Sequence, residues 1–255
     1  MSDSTARQPG GRIFFMDEVR GFDLLLMIAY HSFYTVGWLF NVPAGRALFT
    51  FFMPVEPFFA GLFIFICGIS CRLSHSNWKR GGLLLGVAIL LSAFLWVFMR
   101  EEMIWFGILH FLSVSILLFA LCRPLLDKIP PVVGIAACAV LLLLTWWLPA
   151  DRGAWFGIKG LFGVAVPEAV QAQGWLYPLG LGTGQGADYF PFFPWIFCFL
   201  AGSFAGIWAK AGRFPQWMYK SRAPWLAWLG RHTLVIYVVH QPVVYAICWL
   251  VTRLV

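Results

Sequence analysis

Apolar runs separated by short charged or proline-rich stretches recur along this chain, at about residues 20–40, 49–71, 82–100, 103–122, 131–149, 191–209 and 231–252. A helical run of about 18 apolar residues is long enough to cross a hydrocarbon core of roughly 30 Å. The pattern predicts an all-α, polytopic integral membrane protein with about seven transmembrane helices in one domain, residues 1–255. The interval 150–190 is the one long region between spans, and it is expected to form an outer-side loop. Within it the mildly apolar stretch Ile158 to Val170 is expected to lie along the membrane interface or to re-enter, and Pro167 and Glu168 argue against an eighth crossing. The stretch Met1 to Gly11 is polar and rich in small residues. It lacks the ordered regions of a secretory signal and reads as a disordered cytosolic tail.

Composition sharpens this picture. The chain is 61% hydrophobic and only 11% charged, where a soluble domain carries roughly 25%. The net charge of +7 invites a nucleic-acid reading, but the basic residues sit in short connections and build no continuous face. The 14 Trp and 26 Phe suit helix packing and interfacial belts better than base stacking. With the N-terminus in the cytosol, 13 of the 18 basic residues fall on the cytosolic side, so the positive-inside rule favours that orientation. The six cysteines lie within or at the edge of spans. Cys67 and Cys71 share a helix face, but no second pair or neighbouring His completes a metal set, so all six read as packing residues and no metal is expected.

Candidate chemistry lies inside the spans. His31, His110 and His240 fall in apolar helices, where an ionisable group usually faces a cavity, a partner or a substrate path. At about 1.5 Å of rise per residue, His31 and His240 sit near the midplane, and His110 and Glu56 somewhat toward the outside. Asp188 and Tyr189 open the sixth span. If these positions face one another they line a chamber open outward. Each also has a plainer reading. His110 can be satisfied by Ser113 and Ser115, and His240 by polar groups that Pro242 frees. Glu56 lies between Pro54 and Pro57, where a broken helix exposes it to water. His75 and His232 read as solvated.

The first run opens with Asp17, Glu18, Arg20 and Asp23. The helix dipole explains the first two acids, and Asp17 can pair with Arg20 three residues on. Asp23, nearly a turn deeper, is explained less well. The glycines at 180, 182, 184 and 186 form no phosphate loop, because no strand precedes them and no Lys-Ser/Thr ends them. They read as a mobile loop before an aromatic-capped helix, either covering a substrate or simply connecting.

The run from Arg12 to His31, RIFFMDEVRGFDLLLMIAYH, resembles the opening of the heparan-alpha-glucosaminide N-acetyltransferase catalytic domain. Three further segments match in order: Leu62 to Ser70, Asp188 to Trp195 with Ala201-Gly202, and Leu229 to Pro242. The resemblance covers nearly the whole chain. It implies a transmembrane acyltransferase that takes acetyl from cytosolic acetyl-CoA, as co-substrate, and passes it to an amino sugar or sugar hydroxyl on the far side. It also implies a bacterial inner-membrane setting. Arg20 and His31 match the Arg and His with which the first helix of such enzymes begins. In one departure, lysosomal members carry a catalytic His in the loop after the first span, whereas no His occurs here between Ser32 and Leu73.

On this reading His31 is the base, with Glu56 or Asp188 orienting it or holding the acceptor. His240, Gln241 or His110 donate to the oxyanion, and Tyr189 joins His110, Asp188 and Gln241 in binding substrate. Arg20, Arg72 and Arg231, with Lys79 and Arg80, attract the CoA phosphates. Direct transfer and transfer through an acyl-histidine both stay open. The expected partners are acetyl-CoA, a glycan acceptor and the bilayer, without nucleic acid. Oligomeric state is left open, a homodimer among its options. A transporter with a midplane polar site, or a non-catalytic membrane subunit, are the competing classes.

Overall fold

A computed structural model describes residues 11–184 and 188–254. Most of the expected tail and Gly186 of the glycine-rich loop lie outside the described residues. In chain order the helices are α1 (Phe14–Tyr34), a π-helical segment (Thr35–Leu39), α2 (Pro43–Phe52), α3 (Glu56–Leu73), α4 (Asn77–Phe98), α5 (Ile108–Leu126) and α6 (Pro131–Thr145). After a hairpin of β1 (Trp155–Ile158) and β2 (Phe162–Ala165) come α7 (Glu168–Gln171), α8 (Phe192–Lys210), α9 (Pro224–Arg231) and α10 (Thr233–Leu254).

Five of these, α3, α4, α5, α8 and α10, are long and apolar enough to cross a membrane. Their bare apolar surface fits a lipid solvent. On α10, Val235, Val239, Val243, Ile247 and Leu250 are all exposed, and water would tolerate no such continuous face. The expected run 20–40 coincides with α1 and the π segment, whose first turns carry Asp17, Glu18, Arg20 and Asp23. The run 131–149 coincides with α6, an apolar helix of only 15 residues.

Three expectations need correction. The run 49–71 is not one helix. It breaks at residues 53–55, where Pro54 cannot continue the ladder, and divides between α2 and α3. The fifth helix starts at Ile108 rather than at 103. The interval 150–190 is neither structureless nor helical throughout. It holds the antiparallel hairpin, with Gly157 opposite Gly163 and both at positive φ, 122° and 144°. The described residues are therefore helical with one small β element, whose four-residue strands lack the alternation that would have announced them.

The residues divide into two compact units, one built from both ends of the chain (Met1–Phe63 and Gly212–Val255) and one from Ile64–Ala211. In the first, α1 packs on α9, α10 and α2. The contact with α9 is backbone to backbone: a Cβ on Gly21 would strike the Leu226 carbonyl, and one on Gly230 the Asp17 carbonyl. Only glycine allows that approach. Proline sets the first turn of α2 and of α9, at Pro43 and Pro224.

In the second unit α4 packs on α5 and α6 on α8. Its core is Ile64, Phe111, Ile116, Phe119 and Phe199, all almost fully buried. Ser76 caps α4 by accepting the Lys79 N–H at 3.3 Å.

Candidate active site

In the first unit α1 and the π-helical segment that follows it are joined to α10 by two polar contacts, one helical turn apart along α1 and that segment. Nδ1 of His31 lies 2.9 Å from Nε2 of His240, with the rings inclined by only 20°. One turn on, the Thr35 hydroxyl donates to Oε1 of Gln241 at 3.0 Å. His240 and Thr35 are buried, and His31 and Gln241 are half-buried.

With both rings neutral, the partners fix the protons. Nδ1 of His240 is in hydrogen-bond contact with the Tyr237 carbonyl, which can only accept. His240 therefore carries its proton on Nδ1, and its Nε2 holds a lone pair. That nitrogen can only accept from His31, so His31 carries its proton on Nδ1. Nε2 of His31 is left with the lone pair, as a base requires. Thr35, similarly, occupies the Gln241 oxygen and leaves the amide N–H groups of Gln241 to donate elsewhere.

Sequence reasoning missed Thr35. It follows His31 at i+4 inside an apolar run, which is the signal that could have found it. It also begins the π-helical segment, a geometry frequent at functional sites.

Glu56 is half-buried at the start of α3, close enough to Tyr30 to act on it electrostatically. Tyr30 neighbours His31 and stacks on Phe49 with ring centroids 4.6 Å apart.

The first turns of α1 carry a charged cluster. Asp17 accepts from Arg12 at 2.7 Å and from Arg20 at 3.3 Å. Glu18 gathers the backbone N–H of Arg222 at 2.7 Å, that of Ala223 at 2.9 Å and the Ser221 hydroxyl at 2.9 Å. These donors offset burial of its carboxylate. Arg231 is exposed at the end of α9 and follows the glycine that meets Asp17, so Arg20 and Arg231 flank the same contact.

The other expected site residues are in the second unit. Arg72 is almost fully buried (4% exposed), donates to the Ser203 carbonyl at 3.0 Å, pairs with Asp127 and lies 4.9 Å from the Phe119 ring centre. It is tied into packing and is no loose cytosolic base. Arg80 likewise donates toward the thiol of Cys67 at 3.3 Å.

His110 faces Ser92 rather than the expected serines. Its Nε2 is 3.4 Å from the Ser92 hydroxyl, which itself donates to the Ile104 carbonyl at 2.7 Å, and Ser113 donates to the His110 backbone. Asp188, at φ 49°, accepts the Ile108 N–H at 3.4 Å and so caps α5.

The Tyr189 hydroxyl donates to the Tyr177 carbonyl at 2.7 Å, with the two rings stacked 4.1 Å apart. Burial, aided by Asp151, pushes the Tyr177 phenol up to about 12. Burial and then Tyr177 raise that of Tyr189, so both stay neutral donors.

Among the described residues no group of three or more His, Cys, Asp or Glu is arranged to hold a metal. A family model described as heparan-alpha-glucosaminide N-acetyltransferase, catalytic, matches residues 12–242. No curated protein and no solved structure matches the chain.

Proposed function

The chain belongs to the heparan-alpha-glucosaminide N-acetyltransferase catalytic family, and from that premise we propose that it transfers acetyl from cytosolic acetyl-CoA to an amino sugar or sugar hydroxyl at the outer side of a bacterial inner membrane. The family makes the protein a membrane acetyltransferase; donor, acceptor and residue roles are our reading. The observation that carries it is the His31–His240 pair, because its hydrogen bonds leave His31 with a lone pair on Nε2.

Acetyl transfer needs a base for the acceptor's proton and donors for the oxyanion that forms on the thioester carbonyl. In this mechanism Nε2 of His31 takes the proton from the acceptor N–H or O–H as the acceptor attacks the thioester carbon. The positive charge that develops on His31 is held by the lone pair of His240, itself steadied by the Tyr237 carbonyl. This is the logic of a base oriented by a third group. The Gln241 amide, held at its oxygen by Thr35, donates to the oxyanion. As the tetrahedral intermediate collapses, the C–S bond breaks and His31 returns the proton to the departing CoA sulfur. No acyl-enzyme is required.

Arg20 and Arg231 meet the CoA phosphates at the charged end of α1. Glu56, beside the α2–α3 break, holds acceptor hydroxyls. Asp188 and Tyr189 act at one remove by pinning the loop before α8, and His110 and Arg72 serve packing. The test is transfer of labelled acetyl from acetyl-CoA to a panel of amino sugars and glycans by protein purified in detergent. Acetylated sugar, lost in His31→Ala, is the expected result. Wild-type protein that acetylates nothing, or that concentrates a solute in proteoliposomes instead, would overturn the reading.

A further inference from the structure

Three acids open α1, and two of them are fully matched with donors. Asp17 has two arginines, and Glu18 has two backbone N–H groups and a hydroxyl. Asp23 is different. It is only 3% exposed, and neither carboxyl oxygen has a hydrogen-bond partner among the described residues. Burying a carboxyl without donors costs several kcal/mol, so one kept there calls for a ligand rich in N–H or O–H groups.

The position of Asp23 says which ligand. Arg20, Asp23 and His31 follow one another along a single helix. Asp23 lies three residues beyond Arg20, a rise of about 4.5 Å, and His31 lies eight beyond Asp23, about 12 Å. Asp23 and His31 are roughly 80° apart around the axis, so they look to neighbouring sides of α1.

The pantetheine arm of acetyl-CoA carries matching groups in matching order. An extended chain advances about 1.2 Å per bond. The distal amide N–H is seven bonds from the thioester sulfur and the pantoate hydroxyl ten, hence about 8 and 12 Å away. From the hydroxyl-bearing carbon to the phosphorus is four bonds, about 5 Å. Phosphate, hydroxyl with amide, and thioester thus correspond to Arg20, Asp23 and His31. Between them lie methylenes, a dimethyl carbon and the second, thioester-side amide; the apolar parts suit the neighbouring Leu24, Met27 and Ile28 of the same helix.

The geometry points to Asp23 as the residue that receives the pantoate hydroxyl and distal amide N–H of acetyl-CoA and so holds the arm of the donor on α1. This rests on the acetyl-CoA reading above. It makes Asp23 a donor-binding residue, with no part in the proton transfer.

Three thioesters test it: acetyl-CoA, S-acetylpantetheine and N,S-diacetylcysteamine, the last lacking both distal groups. In Asp23→Asn and Asp23→Leu, KM for the first two should rise about tenfold or more, the loss expected for a hydrogen bond to a charged group. KM for N,S-diacetylcysteamine should hold within about twofold, as should kcat for all three. An unchanged KM for acetyl-CoA, or an equal rise for all three donors, would overturn the assignment. Wild-type protein gives a second measurement that needs no variant to fold. Its kcat/KM should step up about tenfold from N,S-diacetylcysteamine to S-acetylpantetheine, and the absence of a step refutes the proposal. Wild-type protein that uses none of the three donors would instead sink the acetyl-CoA reading itself.

Discussion

His31 and His110 are the same residue in comparable apolar helices of two different compact units, and their surroundings differ in what they offer an imidazole. His31 donates to a second imidazole, which is anchored on a carbonyl, so a charge forming on its ring has a basic neighbour to share it. His110 meets a hydroxyl at 3.4 Å whose own hydrogen is already committed to Ile104. Its Nδ1 is buried without a partner among the described residues. A serine holds almost no positive charge, whereas an imidazole does. An intramembrane histidine is therefore informative through what stands behind it and not through its depth alone.

Substitutions can break or sharpen this contrast. The largest effect is expected for His31→Ala, which removes the proposed base and should lower kcat by about 10³-fold or more while Tm stays near that of wild type. Acetyl transfer at normal rate in that variant would dissolve the distinction between the two histidines. His240→Phe keeps an aromatic ring against His31 but deletes the acceptor of its proton. About 10²-fold should be lost from kcat with KM little moved, and the pH at which activity rises should change, because the tautomer of His31 is no longer held.

Gln241→Leu removes the proposed oxyanion donor, for about 10- to 10²-fold in kcat. Thr35→Val leaves that amide in place but unheld, and a loss of only about threefold to tenfold is expected, since one neutral hydrogen bond is at stake. Smallest is His110→Gln, which should change kcat by less than about twofold and register instead as a lowered Tm. A loss comparable to that of His240→Phe would show that the second unit contributes chemistry and that the contrast is false.

Much of this was legible beforehand, for reasons particular to each residue. His31 and His240 stood out because an imidazole in an apolar run is costly, and Asp17 with Arg20 because three-residue spacing puts them on one helix face. The break before Glu56 was legible in Pro54 and Pro57. The setting of Arg72 was not legible, because its position beside a span end gave no hint that Asp127, Ser203 and Phe119 would enclose it. Asp188 and Tyr189 were expected as substrate ligands, and nothing in the sequence signalled that they also hold a loop, since a cap and a stacked ring depend on partners 80 and 12 residues away. The hairpin at 155–165 was missed because its glycines and exposed aromatics carry no alternation.

By itself the sequence determined the membrane solvent, the approximate helices and the residues that are expensive to bury. Those follow from transfer energies and local periodicity, which are properties of each segment alone. Only the tertiary structure decided which costly residues meet. His31 and His240 are 209 positions apart, and Thr35 and Gln241 are 206 apart. Whether such pairs touch depends on how α1 and α10 turn their faces toward each other, and the pairing in turn fixes where each proton lies.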